Sequence, residues 1–302
     1  MRPVFSVVIP THNRREALRG CLCALTLQEL PRDAFEVIVV DDGGSEPIED
    51  VMQGFHGQLN WRLQRQERSG PATARNLGAL TARGENLAFT DDDCAPSPEW
   101  LVELQKSLAM HPGSLIGGRV VNTLAGNWCS SASQLLIDYL YASYTENGAP
   151  RFFASNNIVL SQRAFADVGG FDESFPLAAA EDRDFCARWT RDGGSMVYAP
   201  SAIVRHAHSL TIPEFARQHF RYGRGAYQFR QRIVRRGGQG PRMEPLSFYL
   251  GLLSYPFAAK SGVGAGSLRI SLLFLLSQAA NAAGFLREAL AFPSTACGGK
   301  HQ

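Results

Sequence analysis

Leu87-Ala88-Phe89-Thr90-Asp91-Asp92-Asp93 is a short apolar run that ends in three adjacent carboxylates. The run predicts a buried strand over residues 87–90, with the acids at its carboxyl end. Adjacent carboxylates repel one another unless a cation or a hydrogen-bond donor lies against them. A hard divalent cation prefers carboxylate oxygens and commonly keeps coordination positions for water and phosphate. The stretch therefore indicates a site for a metal and phosphates at a strand end, and an acidic loop without a ligand is the alternative.

Two more strands with polar ends are predicted nearer the N-terminus. Residues 5–9 form a β-branched run that Pro10 stops, and residues 37–40 are apolar on both faces, as in a buried parallel strand. Helical spacing is found over 16–27 and 73–83. Strands that alternate with helices predict an α/β fold with a right-handed parallel sheet, whose ligands bind at the carboxyl ends of the strands. All three polar clusters should therefore meet at one edge.

Composition sets the class of protein. The chain has 302 residues, of which 45% are hydrophobic and 19% charged, as in a folded globular protein with one large core or two modest ones. Its six cysteines include no CxxC pair, which argues against a zinc site and fits a reducing compartment. The N-terminus runs directly into a strand without a signal-peptide pattern. We therefore expect a cytoplasmic protein, or one held peripherally on the inner face of the cell membrane.

Charge divides the chain into two parts. From Arg205 onward there are 13 lysines and arginines against 3 aspartates and glutamates, whereas the preceding part has 17 against 25. This asymmetry predicts an acidic site in the first part and a surface for an anionic partner in the second. We expect a catalytic domain over residues 1–210 and a basic helical region over 211–302.

The basic region begins with a predicted helix that Thr211 caps. On this helix Arg217, Arg221 and Arg224 are spaced to share one face, and a Gly-rich linker is expected over residues 235–241.

Two uncharged segments follow, over 246–259 and 270–286. Both are shorter than the roughly 20 residues that a spanning helix needs. Because Lys260, Arg269 and Arg287 flank them, one interpretation is a helix pair lying in the interface of an anionic membrane. The alternative is a pair packed on the catalytic domain or across a homo-oligomer interface.

Neither a dinucleotide-binding GxGxxG after the first strand nor a GxxxxGK[ST] loop occurs, so phosphates must be held in another way. Six segments taken in order resemble glycosyltransferase family 2, whose members have the nucleotide-diphospho-sugar-binding GT-A fold. They are SVVIPTHNR at 6–14, VVDDGGS at 39–45, GPATARNLG at 70–78, FTDDD at 89–93, GGFDE at 169–173 and EDRD at 181–184. The resemblance implies an α/β catalytic domain of the GT-A type, Rossmann-like with a mostly parallel sheet, followed by a C-terminal helical extension.

The resemblance also implies roles for individual residues around the donor. Residues that would line or bind the nucleotide and its diphosphate are Pro10, Thr11, Asn13, Arg14, Asp41, Asp42, Arg75, Asp91 and Asp92. Residues that would hold Mg²⁺ or Mn²⁺ are Asp91, Asp93 and His206, with His208 as a weaker candidate on the same strand face. The metal would neutralise the diphosphate and improve it as a leaving group.

For catalysis, the resemblance implies that Asp182 is the general base and that Glu181 orients the acceptor or the base. Asn156 and Asn157 fall where a sugar contact is expected. The alternative interpretation of Glu181-Asp182 is an acidic helix start without a catalytic role, which the helix dipole favours.

Together these features predict an inverting, metal-dependent glycosyltransferase that acts in cell-surface glycan or glycolipid synthesis. Its partners would be a nucleotide-diphospho-sugar donor, a glycan or lipid-linked acceptor and an anionic membrane surface, rather than a nucleic acid. The alternative from another class is a non-catalytic, membrane-docked protein that binds sugar nucleotides or lipid phosphates. Nucleotidyl transfer is disfavoured, because residues 10–14 lack the Gly-rich basic signature that it needs.

Overall fold

A computed structural model describes residues 2–146, 149–175, 179–238, 240, 244–258 and 266–292. The chain divides into two compact units, Met1–Ser209 and Leu210–Gln302, which are described separately.

The first unit is an α/β structure, as the strand and helix pattern predicts. Its strands are β1 Phe5–Thr11, β2 Phe35–Asp42, β3 Trp61–Gln66, β4 Asn86–Phe89, β5 Cys94–Pro96, β6 Leu115–Asn122, β7 Thr145–Glu146, β8 Ala149–Pro150, β9 Ile158–Ser161 and β10 Met196–His206. Its helices are α1 Arg15–Thr26, α2 Glu49–Gln53, α3 Pro71–Thr81, α4 Trp100–Met110, α5 Trp128–Ser143, α6 Gln162–Val168 and α7 Glu181–Arg191, with a 3₁₀ turn at Ser155–Asn157.

Eight of these strands form one mixed sheet in the order β3-β2-β1-β4-β9-β6-β10-β5. The four strands from β3 to β4 are parallel, which brings their carboxyl ends to the same edge. Beyond them, β9 is antiparallel to both β4 and β6, and β5 is antiparallel to β10. The sheet is therefore parallel from β3 to β4 and mixed from β9 to β5. The sequence pattern does not predict the antiparallel strands.

The first strand is longer than predicted. Pro10 does not stop β1, which continues to Thr11 and pairs Pro10 with Val40 of β2. The Val8 carbonyl accepts a hydrogen bond from Thr90 N–H, so the backbone of Val8 faces β4. Pro10, two residues later, faces the same side, where the β1–β4 ladder has already ended. A missing N–H costs little at such a position, which is why proline is tolerated there.

In the second unit the helices are α8 Ile212–Arg235, α9 Leu246–Ser254 and α10 Ser267–Ala291, with a 3₁₀ turn at Tyr255–Phe257. Thr211 caps α8 in a capping box with Glu214, as its sequence predicts. Helices α8 and α10 pack very closely through two glycines. A Cβ at Gly223 would collide with the backbone carbonyl of Asn281, and a Cβ at Gly284 with that of Phe220.

The expected basic face on α8 requires a correction at Arg224. Arg217 and Arg221 are exposed, but Arg224 is half-buried and donates to Glu288 of α10 with an Nε–Oε2 distance of 2.7 Å. Glu288 is buried and also accepts from Gln228. A buried carboxylate requires such partners. Arg224 therefore stabilises the helix pair and is not available to a surface partner.

Helix α10 is longer than its uncharged run of 17 residues. Within the described residues it is the one helix that is long and apolar enough to cross a membrane by length and composition, with a mean hydropathy of 1.3 over its most apolar window. Only 28% of that window is buried. Ala259, Lys260 and part of the expected linker, Gln239 and Pro241, lie outside the described residues.

Candidate active site

The three polar clusters meet at the carboxyl edge of the parallel strands, as expected. Thr11 at the end of β1 is in register with Asp41 at the end of β2, and β4 ends at Phe89, directly before the acids. The connection from β4 to β5 carries Asp91, Asp92 and Asp93. These groups come together because each follows a parallel strand, and neighbouring parallel strands end at the same edge of the sheet.

Asp41 and Asp42 organise the loops beside β2. Asp42 is buried and accepts three hydrogen bonds, from the backbone N–H groups of Ser69 and Gly70 at 2.7 and 2.9 Å and from the Gln66 amide at 2.7 Å. Asp41 accepts from Gly44 N–H at 2.9 Å. The two carboxylates therefore fix the shape of this edge, and Asp42 retains free acceptor capacity on Oδ2.

Asn13 closes the same edge from the β1 side. It has a positive φ of 55°, and its Oδ1 accepts from Ser45 N–H at 2.7 Å. A non-glycine residue in this region of φ is uncommon, and asparagine tolerates it best. The turn after β1 is thus held against the loop after β2.

Asp92 is the most enclosed of the three acids. It accepts from the Thr11 hydroxyl at 2.8 Å and from Arg14 Nη1 at 2.9 Å. Burial raises its pKa to about 6, and Arg14 and Thr11 oppose that rise. Asp92 therefore links the end of β1 to the loop that carries the three acids.

Asp93, Cys94 and His206 bring one ligand atom each within 4.8 Å of one another. His206 Nε2 lies 3.1 Å from Asp93 Oδ1, and Arg14 Nη1 donates to Asp93 Oδ2 at 2.8 Å. Burial alone would raise the pKa of Asp93, but the hydrogen bond and charge of His206, together with Arg14, hold it below its usual value. Carboxylate oxygen and imidazole nitrogen are ligands that fit Mn²⁺, and a carboxylate also fits Mg²⁺. The carboxylate and the imidazole therefore fit the metal that the sequence suggests, whereas burial raises the pKa of the Cys94 thiol well above its usual value and leaves it a poor ligand for a hard cation.

The register of the sheet explains why these groups meet. Cys94 of β5 is the direct antiparallel partner of His206 of β10, and Asp93 immediately precedes Cys94. The interpretation of His206 and His208 as alternating residues of one strand is wrong, since β10 ends at His206. The two rings nevertheless lie together, with centroids 5.3 Å apart.

Arg75 connects the acids to the start of α7. It is buried, and its Nη2 donates to Asp91 Oδ1 at 2.7 Å while its Nη1 lies 3.3 Å from Glu181 Oε1. The Phe171 ring lies beneath its guanidinium, 5.7 Å from Cζ to the ring centroid. Asp91 is thus directed to Arg75 and does not belong to the Asp93–Cys94–His206 group in the described part of the chain.

Glu181 and Asp182 form the first turn of α7. Ala180, directly before them, has a φ of 73°, which strains a residue with a side chain. Burial, followed by repulsion from Asp182, raises the pKa of Glu181; burial also raises the pKa of Asp182. Within the described residues the Asp182 carboxylate accepts hydrogen bonds from backbone N–H groups alone, with that of Arg183 at 2.7 Å. Asp182 is therefore a carboxylate with acceptor capacity and a raised pKa, which makes it a stronger proton acceptor than an ordinary carboxylate.

Two anchors hold α7 in place. Arg188 donates to Asp184 and to the carbonyls of Val168 and Gly170, at 2.7 to 2.8 Å. Asn76 of α3 joins the same loop, because it donates to the Phe171 carbonyl and accepts from Phe171 N–H. Each contact joins segments that are distant in sequence, so the acids at 181 and 182 are positioned by the GGFDE segment.

Asn156 and Asn157 are both buried, but among the described residues Oδ1 of Asn156 has no hydrogen-bond partner. Asn157 is buried and fully used within the fold, donating to the carbonyls of Arg119 and Ala202 and accepting from Trp100. The sugar contact expected of Asn157 therefore does not agree with its structural hydrogen bonds. Sequence reasoning missed Cys94; its position directly after the triple acid was the available signal.

With this geometry in place, comparison with known proteins identifies the family. The model of glycosyl transferase family 2 matches residues 6–169, and that of glycosyl transferase family group 2 matches residues 90–287. The chain belongs to glycosyl transferase family 2. It is therefore a glycosyltransferase, and the alternative of a non-catalytic binding protein receives no support.

Two curated relatives illustrate the likeness. Glycosyltransferase AglE of Haloferax volcanii is 29% identical over 230 residues, covering 75% of this chain and 74% of the relative. The pre-mycofactocin glycosyltransferase of Mycobacterium tuberculosis is 30% identical over 227 residues, 73% of this chain and 46% of the relative. This chain thus spans less than half of that second relative's length.

Solved structures agree on the fold. A mannosyltransferase from Pyrobaculum calidifontis, in complex with GDP-Man and Mn²⁺, matches with a TM-score of 0.64 and 20% identity, over 96% of this chain and 80% of its own. TarS of S. aureus in complex with UDP-GlcNAc matches with a TM-score of 0.60 and 16% identity, over 95% and 91%. The predicted GT-A fold is confirmed.

Proposed function

We propose that this glycosyltransferase moves a sugar from a nucleotide diphosphate to an acceptor hydroxyl with inversion, and that Asp182 is the general base. The observation that carries the proposal is the difference between two adjacent acids. Glu181 faces the Arg75 guanidinium, whereas Asp182, in the described part of the chain, accepts hydrogen bonds from backbone N–H groups alone. Burial raises the pKa of both acids. Inversion needs one free carboxylate on the acceptor side, and no second carboxylate as a nucleophile.

In the proposed reaction, Asp182 takes the proton of the acceptor hydroxyl. The acceptor oxygen attacks the anomeric carbon, and the bond from that carbon to the diphosphate oxygen breaks with its electrons on the departing nucleoside diphosphate. Arg75 holds Asp91 and Glu181 through its guanidinium and so orients both acids. Asp93 and His206 would hold a divalent metal, which when bound would neutralise charge on the diphosphate.

For the donor, we propose a nucleotide-diphospho-sugar at the edge formed by the ends of β1, β2 and β4. The likeness to structures in complex with GDP-Man and with UDP-GlcNAc supports this class of donor. The base would lie by Pro10, Thr11, Asn13 and Asp42, where Asp42 keeps acceptor capacity. Mn²⁺-dependent slow hydrolysis of uridine, guanosine and thymidine diphospho-sugars would identify the donor.

The proposed mechanism determines the anomeric configuration of the product. The first-formed product should have the anomeric configuration opposite to that of the donor, because a single displacement inverts the carbon. Proton NMR during the first turnovers measures this through the anomeric coupling constant. A retained configuration in the first-formed product would contradict the role of Asp182 as base, even if the enzyme is active.

We also propose that the second unit attaches to an anionic membrane, the surface that would carry a lipid-linked acceptor. Helix α10 has an exposed stripe of leucines within about 60° of arc on a helical wheel. Its members are Leu268, Leu272, Leu275, Leu286 and Leu290. Exposed arginines of the same unit are Arg217, Arg221, Arg230, Arg235, Arg236, Arg269 and Arg287. Exposed apolar area combined with excess positive charge suits the interface of an anionic bilayer.

Liposome sedimentation tests this attachment. The full chain should sediment with phosphatidylserine-containing vesicles at low salt and less so as salt rises, because surface charges are screened. The double substitution Leu272→Glu and Leu275→Glu should weaken binding by about 10-fold or more, since it removes apolar area and adds repulsion. Leu80→Glu, at an exposed leucine of α3, is the matched control and should bind as the wild type does.

Two results would count against membrane attachment. One is a full chain that ignores anionic vesicles at low salt. The other is a double variant that changes from dimer to monomer without any change in vesicle binding, which would show that a second copy of the chain covers the stripe.

A further inference from the structure

Arg14 lies where the proposed metal ligands are held. Its Nη1 donates to Asp92 Oδ1 at 2.9 Å and to Asp93 Oδ2 at 2.8 Å, so one nitrogen bridges two acids. The side chain is 46% exposed, whereas those of Asp92 and Asp93 are almost enclosed. Arg14 directly precedes α1. Its side chain contacts Asp92, a residue 78 positions later in the sequence.

Both oxygens of Asp93 are engaged by this arrangement. Oδ1 faces His206 and Oδ2 faces Arg14. The other nearby guanidinium, that of Arg75, is directed to Asp91 and Glu181. Arg14 is therefore the permanent cation that contacts Asp92 and Asp93 within the described residues.

We propose that Arg14 is a positioning residue that acts as an internal counter-cation, opposing metal binding until a nucleotide diphosphate is present. This rests on the proposed function, since it assumes that Asp93 is a metal ligand. A divalent ion that arrives alone meets an acid pair whose negative charge one guanidinium already partly neutralises, and the guanidinium repels the incoming cation. A diphosphate adds negative charge that attracts both cations, so metal and nucleotide bind best together.

The affinity for the metal without nucleotide also affects turnover. If the metal binds weakly without a nucleotide, it leaves with the nucleoside diphosphate and the site returns to its Arg14-bridged form. Binding free energies are reciprocal, so the factor by which a nucleotide tightens the metal equals the factor by which the metal tightens the nucleotide. Arg14 would therefore set the strength of this coupling.

The test measures Mn²⁺ binding to the full chain by electron paramagnetic resonance of free Mn²⁺, first alone and then with UDP or GDP. Arg14→Gln should bind Mn²⁺ alone about 10- to 100-fold more tightly than the wild type, because a positive charge next to the ligands is removed. The tightening produced by the nucleotide should shrink in the same variant. Loss of a residue that only supported the fold would leave the Mn²⁺ affinity unchanged or lower it.

Two further variants sharpen the comparison. Arg14→Lys keeps the charge and should stay near the wild-type Mn²⁺ affinity. Arg19→Gln removes a cation of similar exposure, 44%, from α1 and should leave Mn²⁺ binding unchanged. A folded Arg14→Gln that binds Mn²⁺ alone as the wild type does, or more weakly, overturns the inference.

The wild type alone gives a second test that does not depend on how the variants fold. Its Mn²⁺ affinity must rise when UDP or GDP is added, and equal affinity with and without nucleotide overturns the role of Arg14. If the wild type binds no Mn²⁺ even with either nucleotide, the proposed metal site itself fails, which is a different result from a failure of Arg14.

Discussion

Asp182→Asn is expected to lower the rate of sugar transfer by about 10²- to 10⁴-fold while changing donor affinity by no more than a few-fold. The amide keeps the shape of the carboxylate but cannot take up the acceptor proton, and loss of a positioned general base typically has this effect. The donor groups lie at the strand ends and not on α7, so donor binding should survive. Transfer is measured as released nucleotide with acceptor present, and donor affinity by isothermal titration.

The matched control is Asp192→Asn, an exposed acid immediately after α7 that pairs with Arg191. It should transfer at the wild-type rate. If Asp182→Asn transfers sugar near the wild-type rate, Asp182 is not the base. If it instead loses donor binding with its rate, Asp182 has a binding role and the assignment to proton transfer is wrong.

The parts of the fold and site that sequence predicts are those with local causes. Each of β1, β2 and β4 is a short apolar run followed by polar residues, and parallel strands bring such ends to one edge whatever lies between them. The same reasoning gives α7, because Glu181 and Asp182 at a helix start agree with its dipole. Both ends of α1 lie one residue from their predicted bounds, and both ends of α3 lie two residues from theirs.

What the sequence does not contain is the pairing of distant segments. Strand β9 lies between β4 and β6 and is antiparallel to both, although neither its length nor its composition specifies those neighbours. Cys94 joins His206 only because β5 is antiparallel to β10 in a particular register. Such contacts depend on strand order in the sheet, and so they cannot be derived from motif spacing.

The partners of charged side chains could not be predicted from the sequence either. Arg224 has the spacing of a surface residue, but it pairs with Glu288, 64 positions later, because two glycines bring α8 and α10 into close contact. Arg14 is part of a motif that the resemblance places near the nucleotide, and in the structure its guanidinium contacts the acids of the proposed metal site. Helix and strand periodicity predict which face a side chain occupies, and they do not predict its partner on another element.

Removal of the divalent metal should give the second large effect, a loss of donor binding together with a fall in transfer of about 10³-fold, because a metal at a phosphoryl group supplies several kcal/mol of charge stabilisation. Without the metal, Arg14 offsets only part of the charge of Asp92 and Asp93, and the remaining carboxylate charge repels the diphosphate. In excess chelator the wild type should therefore bind its donor weakly, as measured by isothermal titration, and Mn²⁺ or Mg²⁺ should restore binding. Undiminished binding in chelator would contradict the proposed site.

Asp93→Asn should reproduce this loss without any chelator, since the amide replaces the charged ligand that faces His206. The effects of the substitution and of chelator should not add. Donor affinity of Asp93→Asn should hardly change when chelator is added, because the variant has already lost the metal that chelator would remove. Asp33→Asn, at an exposed acid far along the chain from these groups, should keep the full metal response. If Asp93→Asn binds donor weakly and still gains normally from Mn²⁺, the metal binds elsewhere, and Asp93 contributes to the donor site through its contacts with Arg14 and His206 alone.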